Sequence, residues 1–225
     1  MSDTRGIVVC FINGTGGSGK DTFVQLVKKH MEEHINATRS ERNKRRYGVV
    51  NYSTIDYERN ILDIVANHYP EVKKSCDKKD NNYRDCLSHM KQTLDSAYNT
   101  SMTMFFEFYI KLCRETLVRN NMLLFVHCRE PENIEKMAKA IRSVYGDYTY
   151  PLPGLHAVTT TILIDGRTNP EDFTNESDQS VNDYNYDFVI DNSTTLEALD
   201  VKALAWLRTN IEEDQLLSGY NSQNH

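Results

Sequence analysis

The strongest constraint on the fold is a glycine-rich stretch near the start of the chain, between an apolar run and an amphipathic segment. Residues 6–12 read GIVVCFI, a continuous apolar run typical of a strand buried on both faces of a parallel sheet. Residues 20–34 place apolar side chains at helical spacing. A glycine-rich turn that joins a buried strand to a helix is the context of a phosphate-binding loop. The segment GTGGSGKDT, at residues 14–22, therefore predicts a site for a phosphate-bearing ligand.

Several features of this segment suit a phosphate. Its glycines let backbone N–H groups curl around the anion, and the start of the following helix adds its dipole. Lys20 is predicted to reach the β- and γ-phosphate oxygens of a nucleotide. The alternative is a tight glycine turn followed by an ordinary surface lysine. On the phosphate-binding interpretation, the nucleotide-binding residues of the loop are Gly14, Thr15, Gly16, Gly17, Ser18, Gly19, Lys20, Asp21 and Thr22.

The residue after Lys20 departs from the usual phosphate-binding pattern. Asp21 stands where a Ser or Thr ordinarily offers magnesium a hydroxyl ligand, and Thr22 comes one place later. Asp21 and Thr22 are therefore the two candidate magnesium ligands. Asp21 would support the ion through a bound water, or would only favour the dipole of the helix that begins here.

Five apolar strand candidates alternate with helical patterns along the chain, at residues 6–12, 47–52, 122–126, 156–164 and 186–190. Helical spacing of apolar residues predicts helices at 20–34, 61–69, 83–98, 101–119, 131–145 and 192–210. Alternation of this kind predicts the α/β class, with a five-stranded parallel sheet connected by right-handed crossovers.

The domain organisation predicted from these patterns is a single domain over residues 1–217. Residues 57–119 carry helical patterns without a strand, which predicts a helical insert between the second and third strands. The polar segment at 165–182 is expected to be a mobile loop, and residues 218–225 a disordered tail.

Charge and cysteine content narrow the class of protein. The 225 residues carry a formal net charge of −6, which argues against a nucleic-acid partner, so any bound anion must meet a local basic site. The basic stretch at residues 39–46 lacks interleaved aromatic side chains and is predicted to be a solvated loop. Five cysteines without CxxC spacing argue against a disulfide framework or a zinc site. With no apolar run near the ~20 residues of a membrane helix and no leader-like segment, we expect a cytoplasmic protein without a membrane partner.

Basic and acidic residues beyond the strand ends are the next site candidates. Arg129 follows the third strand candidate, at the end where ligands bind in open parallel sheets. Its guanidinium fork suits phosphate, so we expect Arg129 to act with Lys20 in catalysis and to contact the acceptor. The alternative for Arg129 is a structural ion pair with Glu132. Asp56, just past the second strand, is predicted to hold a sugar hydroxyl or a metal-bound water, or else to cap the next helix.

A polar face on a predicted helix offers a second group of cations. Arg84, Ser88, Lys91 and Asp95 are three or four residues apart, which places them together beside the apolar stripe. Arg84 and Lys91 are predicted to bind the acceptor phosphate from this face, and the alternative is a solvated face. Arg167, after the fourth strand, is predicted to close over ATP from its loop, and the alternative is a surface turn.

Two segments carry a resemblance to a known family. The loop ending Gly-Lys-Asp-Thr resembles that of phage-type deoxynucleoside monophosphate kinases and, less closely, that of animal-type phosphomevalonate kinases; adenylate kinases also place their Thr one position late. The segment FVHCREPENI, at residues 125–134, resembles a strand end and acidic helix start of the first group. In that group the strand often ends with an Asp two residues before the Arg, where this chain has His127. Further similar segments are residues 51–56, 83–91 and 187–192 with Leu196.

The resemblance implies a three-layer α/β/α fold of the P-loop NTPase type, with an acceptor-binding helical insert. It implies an enzyme that moves the γ-phosphoryl group of ATP to a nucleoside or deoxynucleoside monophosphate, with ATP and Mg²⁺ as cofactors. Two alternatives stay open. One is a kinase of another small phosphorylated metabolite, such as phosphomevalonate or a coenzyme precursor; the other is a nucleotide-binding regulatory module with little kinase activity.

Overall fold

The sheet and its helices are seen in a computed structural model, which describes residues 5–37, 46–69, 81–118, 121–146, 155–166 and 180–212. The strands are β1 Arg5–Asn13, β2 Tyr47–Ser53, β3 Asn121–His127, β4 Leu155–Gly166 and β5 Phe188–Asn192. The α-helices are α1 Lys20–His30, α2 Asp56–His68, α3 Asn81–Tyr98, α4 Thr100–Val118, α5 Pro131–Gly146 and α6 Leu196–Leu207. Two π-helical turns, Met31–Asn36 and Arg208–Glu212, extend α1 and α6, and a 3₁₀ turn spans Ser180–Asp183.

All five strands pair in parallel, in the order β2-β3-β1-β4-β5. This confirms the predicted α/β class and the five-stranded parallel sheet. The central strand, β1, pairs with β3 on one side and with β4 on the other, so its apolar run has no solvent-facing edge. A continuous apolar strand is expected where both faces of a sheet are covered.

Helices cover both faces of this sheet. Val8, Cys10 and Ile12 of β1 pack with α1 and α6, where the apolar side chains include Phe23 and Trp206. The alternate β1 residues Ile7, Val9 and Phe11 pack with α4 and α5. Because side chains alternate along a strand, one nine-residue strand supplies the centre of both cores. The helices that follow β1 and β3 therefore leave the sheet on opposite faces.

Among the described residues, α2, α3 and α4 lie between β2 and β3 along the chain, and a small third cluster of Leu62, Tyr83 and Leu87 joins α2 to α3. Two other predicted segments fall largely outside the described residues. The loop expected at 165–182 is described only at its two ends, without residues 167–179, and the tail expected at 218–225 is not described. Among the helices of the described ranges, none combines the length and apolar character that crossing a bilayer requires.

Two helices begin four or five residues away from their predicted starts. The second helix begins at Asp56, not at residue 61. Its first turn is polar and lacks the apolar periodicity from which the start was predicted, and it carries an Asp56–Arg59 ion pair at 2.9 Å. The last helix begins at Leu196, not at residue 192, because Asn192 still pairs with β4 as part of β5. Thr195 caps that helix by accepting a hydrogen bond from the Ala198 N–H at 3.3 Å.

Candidate functional site

The glycine-rich loop leaves the carboxyl end of β1 and enters α1 with positive φ angles at Gly14, Gly17 and Gly19. Gly14 and Gly19 have φ angles of +145° and +97°, which side chains of L residues rarely allow. A Cβ on Gly14 would lie 2.5 Å from the Ile164 carbonyl oxygen, and a Cβ on Gly19 would collide with the Asn192 amide. The loop is therefore pressed against β4 and β5.

One hydrogen bond from β5 and one within the loop hold the loop in place. Asn192 Nδ2 donates to the Ser18 carbonyl oxygen at 2.8 Å, and the Ser18 N–H donates to the Thr15 carbonyl oxygen at 3.2 Å. The loop thus has a fixed backbone shape, which is what a phosphate cradle needs.

Lys20 is folded back over this loop. Its Nζ donates to the carbonyl oxygens of Gly14 and, at 2.8 Å, of Thr15. The ammonium group therefore lies at the mouth of the loop, near the position that the phosphate-binding interpretation gives it. A phosphate oxygen would have to replace these carbonyls as its acceptor.

The loop opens onto a cleft of about 650 Å³. Its walls come from the loop itself, the end of β2 with the start of α2, one face of α3, and the segment that follows β3. Most of the predicted site residues with described side chains line this cleft; they are Gly16, Gly17, Ser18, Gly19, Lys20, Asp21, Thr22, Asp56, Lys91 and Arg129.

Asn13 joins the loop to the segment after β3, a role that the sequence pattern did not reveal. Its side chain is fully buried; Oδ1 accepts from the Gly14 N–H at 2.8 Å, and Nδ2 donates to the Arg129 carbonyl oxygen at 3.1 Å. Nδ2 also donates to the Tyr186 hydroxyl at 2.6 Å. Asn13 therefore fixes the glycine loop relative to Arg129. The only sign of this role in the sequence was that a polar residue ends an apolar run.

Lys91 and Glu130 form an ion pair in the wall of the cleft. Lys91 is 5% exposed, and its Nζ donates to the Glu130 carboxylate and, at 3.1 Å, to Thr54 Oγ1. Thr54 in turn donates from Oγ1 to the His127 carbonyl oxygen at 3.2 Å. The end of β2, the end of β3 and helix α3 are thus joined by one buried polar network.

Both members of this pair are charged at neutral pH. Burial alone would lower the pKa of Lys91 and raise that of Glu130, because each charged form loses water. Their mutual attraction more than offsets burial, so the pKa of Lys91 lies above its usual value and that of Glu130 below. Lys91 is therefore not on a solvated helix face. Its contact with the acceptor phosphate stays a prediction, and Lys91 would have to make that contact while paired with Glu130.

The rest of the predicted polar face divides between the cleft and the next helix. Ser88 lines the cleft, whereas Asp95 accepts from the Ser101 N–H at 2.6 Å and the Ser101 hydroxyl at 2.8 Å. Arg84 lies in α3, but its side chain is outside what the structure describes, and Arg167 lies outside the described residues altogether.

Asp56 does not cap α2, because Ile55 occupies the N-cap position and Asp56 is the first helical residue. Its carboxylate accepts from Arg59 Nη1 at 2.9 Å, and both residues line the cleft. Glu132, the alternative partner considered for Arg129, lies 3.6 Å from Lys136 one turn further along α5. Asp56 and Arg129 thus both contribute to the cleft wall.

His127 ends β3 beside the glycine loop. Its Nδ1 is 3.8 Å from Asp21 Oδ1, and its Nε2 is buried without a hydrogen-bond partner among the described residues. Burial lowers the pKa of His127 to about 4, despite the nearby carboxylate of Asp21. The imidazole is therefore neutral at pH 7. It does not compensate the charge of the Asp21 carboxylate, which is 92% exposed.

Glu58 is a further buried carboxyl that the sequence analysis missed. It is 0% exposed, and neither carboxyl oxygen has a hydrogen-bond partner within the part of the chain that the structure describes. Burial raises its pKa, although the charge of Lys91 acts in the opposite direction. The polar first turn of α2 gave no sign of which of its residues would be buried.

Comparison with known proteins adds no family to this description. A scan against protein-family models and a search of curated proteins both find no match for the chain. The chemistry of the site is therefore argued from the glycine loop, the cleft and the charges that line it.

Proposed function

We propose that the chain is an ATP-dependent phosphotransferase that moves the γ-phosphoryl group of ATP to a nucleoside or deoxynucleoside monophosphate. The observation that carries this proposal is that the glycine loop and the helices between β2 and β3 share one cleft. Phosphoryl transfer requires a nucleotide cradle and an acceptor site close enough for in-line attack. A volume of about 650 Å³ lies within the range of small-molecule sites.

On the nucleotide side, the P-loop assignment gives Lys20 the central role. Its ammonium would exchange the Gly14 and Thr15 carbonyls for the β- and γ-phosphate oxygens. Arg129, held relative to the loop through Asn13, would neutralise charge on the transferred group. Arg167 remains a candidate to close over ATP.

Mg²⁺ fits the side chains at the start of α1. Asp21 and Thr22 offer oxygen atoms only, which is the donor set that magnesium prefers, and both are exposed to the cleft. A magnesium ion bound here would supply charge neutralisation for the phosphates. Asp21 and Thr22 would hold the ion, with the carboxylate acting directly or through water.

On the acceptor side, the proposal uses Arg84 and Lys91 of α3 for the monophosphate and Asp56 for a sugar hydroxyl. Lys91 and Asp56 line the same cleft as the glycine loop but come from other elements, which supports this division. Because Lys91 is paired with Glu130, it would contribute a positioned charge shared between Glu130 and the substrate. A reaction of this kind fits the expected cytoplasmic setting.

The experiment measures phosphoryl transfer from γ-labelled ATP with Mg²⁺ to a panel of acceptors. The panel contains ribo- and deoxynucleoside monophosphates, phosphomevalonate and phosphorylated coenzyme precursors. We expect transfer to at least one nucleoside monophosphate well above the rate of ATP hydrolysis. Transfer only to a non-nucleotide acceptor would favour a metabolite kinase instead. ATP binding without transfer to any member would favour a regulatory module.

A further inference from the structure

The end of α1 remote from the glycine loop carries a second set of side chains able to bind a ligand. The segment reads HMEEH over residues 30–34, with His30 ending α1 and the rest in the π-helical turn. One ligand atom from each of His30, Glu33 and His34 lies within 4.8 Å of the other two. This cluster is about 15 Å from Lys20 along the helix axis, so it is separate from the cleft.

His30 is already oriented as metal-binding histidines are. Its ring is buried, at 4% exposure, and Nε2 lies 2.9 Å from Oδ1 of Asp200 in α6. A carboxylate only accepts, so the neutral imidazole carries its proton on Nε2 and its lone pair on Nδ1. Within the described ranges, Nδ1 is buried and has no hydrogen-bond partner. A histidine fixed by a carboxylate on one nitrogen, with the other nitrogen available, is the usual arrangement around a bound metal.

His34 and Glu33 each place a ligand atom within 4.8 Å of a nitrogen of the His30 ring. The rings of His30 and His34 are stacked, with centroids 5.5 Å apart, because residues four apart share a helix face. Ligand atoms of a tetrahedral zinc ion are roughly 3.3 Å apart, and the present atoms lie within 4.8 Å of one another, so they must approach by at most roughly 1.5 Å. His34 and Glu33 are both exposed, so rotation of their side chains can supply this movement.

We propose that His30, Glu33 and His34 bind one divalent transition-metal ion of the zinc type, with Asp200 as the positioning residue for His30. Two imidazoles and one carboxylate suit zinc or cobalt rather than magnesium, which prefers oxygen ligands. The cysteine spacing argued against a zinc site built from cysteines. That argument does not apply here, because the proposed ligands are two histidines and a glutamate. The ion would strengthen the link between α1 and α6 that His30 and Asp200 already make. This site goes beyond the proposed phosphotransferase activity and does not depend on it.

The test uses the full chain, stripped with a chelator and titrated with Zn²⁺ in competition with a chromophoric chelator. We expect one saturable Zn²⁺ per chain, and with Co²⁺ the absorption bands of a tetrahedral site. His34→Ala should weaken binding at least tenfold, and Asp200→Asn about tenfold to a hundredfold. His68→Ala, at an exposed histidine of α2, is the matched control and should bind Zn²⁺ as the wild type does. Thermal unfolding without metal checks that each variant is folded.

Three results would overturn the assignment. Absence of saturable Zn²⁺ binding would mean that His30 and Asp200 make a purely structural contact. Equal affinities for wild type and His34→Ala would place any bound ion elsewhere on the chain. Unchanged affinity in Asp200→Asn would remove the positioning role given to Asp200.

Discussion

His127 Nδ1 and Asp21 Oδ1 lie 3.8 Å apart in the wall of the cleft. Asp21 stands where a phosphate-binding loop ordinarily has Ser or Thr, and His127 stands where the resemblance suggested by the sequence leads one to expect an Asp. The distance is too long for a hydrogen bond, and the neutral imidazole does not compensate the carboxylate. A negative charge therefore stands at the first turn of α1, beside the predicted position of the nucleotide phosphates.

The first prediction concerns the pH dependence that His127 gives to stability. Its pKa is about 4 in the folded chain and about 6.5 when unfolded, so the unfolded state binds the proton more tightly. The contribution is therefore fully present above pH 6.5 and is lost as pH falls towards 4. Between pH 7 and pH 5, wild type should lose about 2 kcal/mol of unfolding free energy more than His127→Gln. Denaturant titrations of both proteins at each pH measure this difference.

A constant difference between the two proteins across this pH range would contradict the account of His127. His68→Gln, at an exposed histidine, serves as the control and should track the wild type. Glu58 titrates in the opposite sense, because its raised pKa favours the folded state at low pH. Comparing each variant with wild type at the same pH cancels that contribution.

Asp21→Ser tests the predicted magnesium role at the start of α1. Serine restores a hydroxyl at the position where magnesium ordinarily finds a direct ligand. We expect ATP binding to persist while the Mg²⁺ concentration for half-maximal phosphoryl transfer shifts severalfold. Asp63→Ser, at an exposed aspartate of α2, is the control. Identical magnesium titrations for Asp21→Ser and wild type would show that Asp21 has no metal role.

Glu130→Gln should destabilise the fold, because it leaves the Lys91 ammonium buried without its counter-charge. Breaking a buried pair in this way costs about 3–5 kcal/mol. Glu132→Gln is the matched control: its carboxylate is 87% exposed and pairs with Lys136 at 3.6 Å, so we expect a loss within about 0.5 kcal/mol. Chemical denaturation at pH 7 measures both.

Acidification should shrink the Glu130→Gln difference. The folded pKa of Glu130 is depressed, so its contribution is present above the unfolded pKa of about 4.3 and disappears as pH falls through the folded value. Equal stabilities of Glu130→Gln and Glu132→Gln at pH 7 would mean that the pair contributes nothing to folding.

Arg84→Ala tests the acceptor side of the proposed function. If Arg84 binds the monophosphate, KM for that substrate should rise far more than KM for ATP. A lost hydrogen bond to a charged group is worth about 1.5–3 kcal/mol, so kcat/KM should fall tenfold to a hundredfold. His89→Ala, at an exposed residue of the same helix, should leave steady-state kinetics unchanged. A larger effect on ATP would reverse the division between nucleotide and acceptor sides, and no effect would leave Arg84 on a solvated face.

Local sequence patterns predicted the sheet and the glycine loop, because the residues that define each strand and the loop are adjacent in the chain. The apolar run of β1 and the glycine-rich turn after it are recognised directly from residue type and order. The partner of Lys91 did not follow, since Glu130 is 39 positions away and only the fold brings it to α3. The same reason hid Asn13, whose contacts reach the segments around Arg129 and Tyr186.

Boundaries failed where tertiary contacts override the apolar pattern. Nothing in the spacing shows that Asn192 remains in β5, because its role depends on the Ser18 carbonyl of a loop far away in the chain. Burial of Glu58 was equally invisible, since a carboxylate in a polar turn ordinarily faces water.

The measurement that tests the central claim most directly is phosphoryl transfer from ATP to nucleoside monophosphates by wild type, Lys20→Ala and Lys29→Ala. Lys29 is exposed on the same helix, so it controls for loss of a lysine without loss of the loop contact. We expect Lys29→Ala to match wild type, and Lys20→Ala to keep its fold while losing transfer by orders of magnitude, because Lys20 neutralises the transferring charge. Near-wild-type turnover by Lys20→Ala would contradict the assignment of residues 14–22 as the phosphate site.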